Sequence, residues 1–236
     1  SGWFYKSSIL FQLFISIGFV FCTLVMMMQL HFLLNTRELG IERHNVGAVV
    51  YCSENIPFKE IVSQIPEVSE CLNGFHTPIP KMFYSTYRVK EWDGKTTDGE
   101  QCIDLEDETI NQDYADFFGV EVLDGSMLDE KDGKNMVVIN EAAMKAFGWT
   151  QPIGKKIDKL GRHYIVKGVI KNISYNAPIH PVAPAMFHLP DSRDRGGIIF
   201  KVKEGTWNIV SEKIKAEVNK VNPNAELMLS NIEEVY

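Results

Sequence analysis

Apolar residues run almost unbroken from residue 9 to residue 34, and the 30 residues 7–36 include no Asp, Glu, Lys or Arg. A helix rises about 1.5 Å per residue, so the roughly 20 residues that cross a hydrocarbon core of about 30 Å fit inside this run. The pattern predicts a transmembrane helix within residues 1–36, and everything after it is placed relative to a bilayer. A secretory signal peptide has an apolar region of about 7–15 residues and a small-residue cleavage site; this run is longer, and the first Ala is Ala48. Gln12, Ser16, Gly18, Thr23, Gln29 and His31 interrupt it. Gln12, Ser16 and Gln29 are expected to form a polar helix face packed against other membrane helices, as small and polar residues do in membrane bundles. Residues 37–45 are expected to prolong the helix as a stalk, with Leu33, Leu34 and Leu39 as an apolar stripe.

Beyond residue 45 the pattern shortens to that of a globular domain. Residues 45–52 are β-rich and read as a strand. Asn55 is expected to cap a short helix with Pro57 at its first position, Phe58, Ile61, Val62 and Ile65 as its apolar stripe, and Pro66 as its stop. Residues 82–89 and 101–105 read as strands separated by the turns Asp93-Gly94 and Asp98-Gly99. A helix over 112–118 closes at Gly119, and 120–123 leads to the turn Asp124-Gly125. The clearest block follows: a buried strand over 136–139, Asn140 as N-cap, a helix over 141–147, Gly148 as its left-handed stop, a turn over 151–154, and a strand over 164–170 entered through Gly161. Pro178, Pro181, Pro184 and Pro190 flank the stretch 185–188 and suggest an edge strand. Residues 198–202 form a strand; Thr206 then caps a helix with Trp207, Val210, Ile214, Val218 and Val221 on one face, Pro223 stops it, and 226–229 closes as a strand.

The two ends of this region repeat one form, strand, amphipathic helix, strand. The fold expected is α+β: a membrane helix followed by a mixed α/β domain over 46–236 with two βαβ-like halves and a strand-rich insertion. Residues 46–95 and 198–236 are expected to form one subdomain and 96–197 the inserted one.

Composition adds little to that picture. With 236 residues, 45% hydrophobic and 23% charged, the chain can bury an ordinary core. The net charge of −7 is uneven, because residues 98–132 carry thirteen acids against the single base Lys131, while 133–236 carry fifteen bases against ten acids. No clustered basic face marks a nucleic-acid binder, and the acidic block reads as a solvated face. Cys22 lies in the membrane helix; Cys52, Cys71 and Cys102 lie outside it without metal or redox spacing, so their disulfide state stays open. The chain starts Ser1-Gly2, which suggests a processed product or a piece of something longer.

Chemistry is sparse. Asp129 and Glu141 stand twelve residues apart, near the length of an EF-hand loop, but Lys134 sits where that loop needs Gly and Lys131 replaces a carboxylate, so calcium is not expected. Gly148, Gly154, Lys155 and Lys156 approach a phosphate-binding loop, yet the spacing is one residue too long, no Ser or Thr follows, and the helix ends where it should begin. His180 and His188 are eight residues apart, roughly 26 Å along a strand, and read as structural. No hydrolase elbow, zinc-protease motif, dinucleotide turn or kinase set is present. An enzyme, a cofactor or a bound metal is not expected.

The words that do stand out are 137–143, Val-Val-Ile-Asn-Glu-Ala-Ala, then Gly148, then 152–157, Pro-Ile-Gly-Lys-Lys-Ile, then 168–172, Gly-Val-Ile-Lys-Asn, and finally the Pro181/Pro184 strand. In order and spacing they resemble the extracytoplasmic core domain of MacB/FtsX-type ABC transporter permeases, and Phe11-Gln12 with Phe14-Ile15-Ser16 resembles the membrane helix before it. The resemblance is strongest over 137–189. It implies a domain hung from the bacterial inner membrane on the periplasmic side, coupled to a separate cytoplasmic ABC ATPase. It also implies other permease helices or a second permease copy as a dimer partner, and a periplasmic protein partner, with no nucleic acid. ATP-driven motion would pass through the helices to drive export or extraction of a substrate or to regulate a cell-wall enzyme. Asn140, Glu141, Gly148, Pro152, Gly154, Gly168, Pro181 and Pro184 become folding positions of the family motif instead of ligand contacts. The chain stops at Tyr236, where the family's return helix would begin, so a longer permease is expected. A membrane-anchored sensor domain of a signalling protein is the alternative; an anchored hydrolase finds no residue to nominate.

Overall fold

The computed structural model describes residues 2–34, 40–75, 86–97, 102–174, 181–190 and 197–235. In chain order its elements are α1 (Gly2–Leu34), β1 (Val46–Cys52), α2 (Phe58–Ser63), β2 (Val68–Phe75), β3 (Thr86–Val89), β4 (Glu91–Trp92), β5 (Lys95–Thr96), β6 (Ile103–Thr109), α3 (Gln112–Phe118) and β7 (Val122–Gly125). They continue with β8 (Met136–Asn140), α4 (Glu141–Ala146), β9 (Lys156–Lys159), β10 (Arg162–Ile170), β11 (Ala185–His188), β12 (Gly197–Val202), α5 (Trp207–Val221), β13 (Leu227–Asn231) and a 3₁₀ turn, Ile232–Val235.

α1 is one unbroken helix. Its stretch Gly2–His31 is long and apolar enough to cross a membrane, and none of it is buried against the rest of the chain. At 1.5 Å per residue, 30 residues reach about 45 Å. The stalk expected over 37–45 does not continue as a helix where it is described: 37–39 lie outside the described residues, and 40–45 form turns. Gly40 (φ 77°) and Asn45 (φ 57°) hold left-handed backbone that a right-handed helix excludes. Ile41 and Arg43 are instead buried in the domain.

The domain has two sheets. The first has the order β13-β1-β12-β2 with neighbours antiparallel. β1 and β2, joined by α2, are therefore parallel with β12 between them, and β12 and β13, joined by α5, are parallel with β1 between them. These are two split βαβ units, interleaved. The expected βαβ-like halves exist as chain segments, but neither makes a sheet without a strand of the other. α2 and α5 cover one face, packing with Val49, Ile198, Phe200 and Val202. Gly47 lets α5 come close, since a Cβ there would lie 2.3 Å from the Trp207 ring. β2 lacked a sequence signal because Ser69, Glu70 and Asn73 dilute its alternation; as an edge strand it buries little.

The second sheet has the order β3-β6-β11-β8-β10-β9-β4-β5, with β7 added on β10. β11 is an interior strand, parallel to β6 and antiparallel to β8. This corrects the edge strand expected there. Pro181 and Pro184 precede the paired residues, so no proline interrupts a ladder, and Pro184 O accepts from Glu106 N at 2.8 Å. β9 also escaped the sequence reading, since three of its four residues are charged and only Ile157 is fully buried.

Alternation along the strands sends neighbouring side chains to opposite faces. Ala48 and Ile199 of the first sheet meet Val138, Ile170 and Phe187 of the second across a shared core closed by Tyr114, Phe117 and Phe118 of α3. On the far face of the second sheet Val137, Ile139 and Val166 pack under α4 with Trp92, Phe147 and Trp149. α3 follows the sequence closely, with the Asn111 side chain accepting from Tyr114 N and Gly119 as a left-handed stop. Other caps differ. Pro57, not Asn55, occupies the N-cap of α2, without a side-chain bond. Thr206 caps α5 by position only, its hydroxyl donating to Lys203 O at 2.6 Å. Val221, expected on the buried face, is 62% exposed at the helix end.

Candidate functional site

The nominated residues gather on the second sheet. β8 ends in Asn140, which is 1% exposed. Its Oδ1 accepts from Ala143 N at 2.9 Å, capping α4, and from Ala185 N at 3.0 Å, while Nδ2 donates to Ala183 O at 2.8 Å. One side chain thus fastens a helix start to the strand that begins 45 residues later. Asn172, past the end of β10, accepts from Ala142 N at 3.0 Å through Oδ1, and its own amide donates to Glu141 Oε2 at 3.2 Å.

The remaining motif positions lie further along. Gly148 (φ 67°) donates to Lys145 O, and the chain reverses so that the Phe147 and Trp149 rings stack at 4.3 Å. Pro152 O accepts from Lys155 N at 3.1 Å, Gly154 N donates to Val166 O at 2.8 Å, and Val166 N returns a bond to Lys155 O. Gly168 faces β7 so closely that a Cβ would lie 2.4 Å from Ser126 O. Lys155, from the near-miss phosphate loop, pairs with Asp93.

A cleft of about 480 Å³ opens between the ends of β10 and β11, lined by Asn111, Asp132, Arg162, Tyr164 and His188 among others. Of the charges at or near it, Asp132 bonds Lys167 at 2.6 Å and Lys159 pairs with Asp107. Asp132 is held below the usual carboxylate range although burial works the other way, because the Asp129 amide and Lys167 both donate to it. His188 Nδ1 lies 2.8 Å from Leu189 O, which can only accept, so that nitrogen carries the proton.

On α1 the polar positions do not share one face. At about 100° per residue, Gln12, Ser16 and Thr23 fall within about 40° of each other. Gln29 lies about 100° away from Gln12, near Gly18 and Cys22. The single face expected from Gln12, Ser16 and Gln29 is thus two stripes. Ser16 and Thr23 turn their hydroxyls onto Gln12 O and Phe19 O of their own helix.

The MacB-like periplasmic core domain model matches residues 8–217, from the apolar helix to the last turns of α5. The chain belongs to that family. Solved structures carry the same fold. The periplasmic region of MacB from Actinobacillus actinomycetemcomitans aligns at TM-score 0.56 and 15% identity over 85% of this chain and 94% of that one. A domain of a permease protein from Porphyromonas gingivalis aligns at 0.55 and 14% identity over 81% and 92%. The extracellular domain of the noncanonic ABC-type transporter YknZ from Gram-positive bacteria aligns at 0.50 and 15% identity over 78% and 100%. No curated protein matches the sequence. The chain therefore carries the periplasmic domain of a MacB/FtsX-like ABC-type transporter permease, with the apolar helix that precedes it.

A second set of residues in this MacB-like domain had no sequence signal. Arg43 is fully buried and donates to Ser174 O, 131 residues away. Glu233 lies 189 residues from His44, whose Nδ1 it meets at 2.9 Å, and it accepts from Asn45 N at 3.2 Å. The His44 bond first, with the Asn45 amide, holds the Glu233 carboxyl below the usual carboxylate range against the effect of burial. The only local hint was a charged stretch between Gly40 and the strand at Val46, which read more simply as a helical stalk.

Proposed function

We propose that this chain is the periplasmic coupling element of an inner-membrane permease. A separate cytoplasmic ABC ATPase drives it, and the domain moves a periplasmic protein, exports or extracts a substrate, or regulates a partner enzyme, without catalysing a reaction itself. The observation that carries this reading is a membrane-length helix followed, in a MacB-like chain, by a connector that is packed into the domain. Family membership makes an ATPase and further membrane helices the natural partners. The two polar stripes of α1 suit contacts with two neighbours, other permease helices or a second copy.

The motif residues serve this role as fasteners. Asn140 and the Glu141–Asn172 exchange fix α4 and β11 to the central strands, while Gly148, Pro152 and Gly154 set the turns between α4 and β9 and Gly168, within β10, lets β7 lie close. The subdomains proposed here follow the two sheets. Strands over 86–96 pair in the second sheet, which supports including residues 86–95 in the inserted body.

The reading is tested by expressing the complete permease with the ABC ATPase encoded beside it. Stable co-purification in detergent, with ATP hydrolysis altered when the permease is present, is the expected result. A permease that never associates with an ATPase removes it.

A further inference from the structure

We propose that residues 40–45 are the joint through which movement of the membrane helix reaches the periplasmic domain, and that they deliver it to the seam between the two sheets. This deepens the coupling reading and rests on it. The connector touches both sheets within six residues. Gly40 sits against the end of β10, where a Cβ would lie 2.0 Å from Asn172 O. Ile41 is 2% exposed in the core shared by the sheets. Glu42 N donates to Phe118 O, at the end of α3, at 2.8 Å. Arg43 reaches Ser174 O. Asn45 O accepts from Val202 N of β12 at 2.8 Å, and His44 with the Asn45 amide holds Glu233 in the 3₁₀ turn after β13.

The contacts divide into two arms. Gly40 and Arg43 hold the second sheet at residues 172–174. Residues 44 and 45 hold the first sheet at β12 and the turn after β13. Close-packed interiors transmit strain instead of absorbing it, so a shift of the connector must move one sheet against the other or break an arm. The arm on the second sheet runs on into the family motif, because the Asn172 it presses on is the residue that bonds Glu141 and Ala142. That gives the motif a place in the path of the movement as well as in the fold.

The test uses the complete permease with its ATPase in lipid nanodiscs, with one spin label at Leu160 and one at Met228. Both positions are exposed, at 80% and 55%, one on each sheet. The label distance is read with and without nucleotide in wild type, Arg43→Met and Glu233→Gln. Arg43→Met keeps the stem and removes the bond to Ser174; Glu233→Gln weakens the other arm at a half-exposed site and tolerates failure of the first variant to fold. The joint predicts that each variant loses at least half of the nucleotide-dependent change while ATP hydrolysis stays within about twofold of wild type. A wild-type response that survives both substitutions overturns the joint alone. A wild type that does not respond to nucleotide overturns the coupling reading, and the joint falls with it.

Discussion

Asn140 shows how much one side chain can hold. Replacing it with Ala removes a cap, worth about 0.5–2 kcal/mol, leaves the buried Ala185 amide without its partner, at about 1–3 kcal/mol, and frees the half-buried Ala183 carbonyl. Asn140→Ala is expected to destabilise the domain by about 3 kcal/mol or more in thermal or denaturant unfolding. Asn140→Asp keeps the acceptor but sets a carboxylate oxygen against Ala183 O, so it should also be destabilising; equal stability to wild type would show that the cap alone matters. Glu233 gives a pH signature. Its carboxyl is depressed in the folded state, so its contribution is complete above the ordinary glutamate value and is lost as pH falls through the lower folded value. Protection of the Asn45 amide against hydrogen exchange should therefore drop in acid, and Glu233→Gln should flatten that drop. Asn140 and Gly148 were legible in the sequence because caps and left-handed stops demand particular residue types. Arg43 and Glu233 were not, since a contact that bridges more than a hundred residues leaves no local pattern.

At the level of elements, the strands that were misread differ from the rest in a physical way. Periodicity reports one buried face, and it missed β2 and β9, which bury few residues. Prolines near β11 suggested an edge, yet they stand ahead of its ladder and leave both sides paired. Amides of residues 185–188 should accordingly exchange only through large-scale opening, as slowly as those of β8; exchange as fast as β13, a true edge, would contradict the sheet order. α1 carries its own expectation. Because Gln12 and Ser16 lie on one stripe and Gln29 on another, Gln12→Leu with Ser16→Leu should weaken one helix contact and Gln29→Leu a different one. Their effects on cysteine cross-linking within the assembled permease should add independently. Loss of a single shared cross-link in both variants would restore one polar face.

At the scale of the molecule, the α+β class and the strand–helix–strand form of both ends could be read from the chain, and so could the family, through 137–172. What could not be read was the interleaving. A sequence shows which elements follow one another, but not that β12 slips between β1 and β2, because that choice depends on contacts between residues 46–75 and 197–231. The same interleaving places the two ends of the domain side by side, with His44 against Glu233. The connector from the membrane helix therefore meets both sheets at once, the arrangement a coupling element needs. The most direct measurement is the distance between labels at Leu160 and Met228 in the assembled permease, with the ATPase intact and with its hydrolysis disabled. The account predicts distributions that shift during ATP turnover with the intact ATPase and stay put with the disabled one; distributions that superimpose under every condition would contradict it.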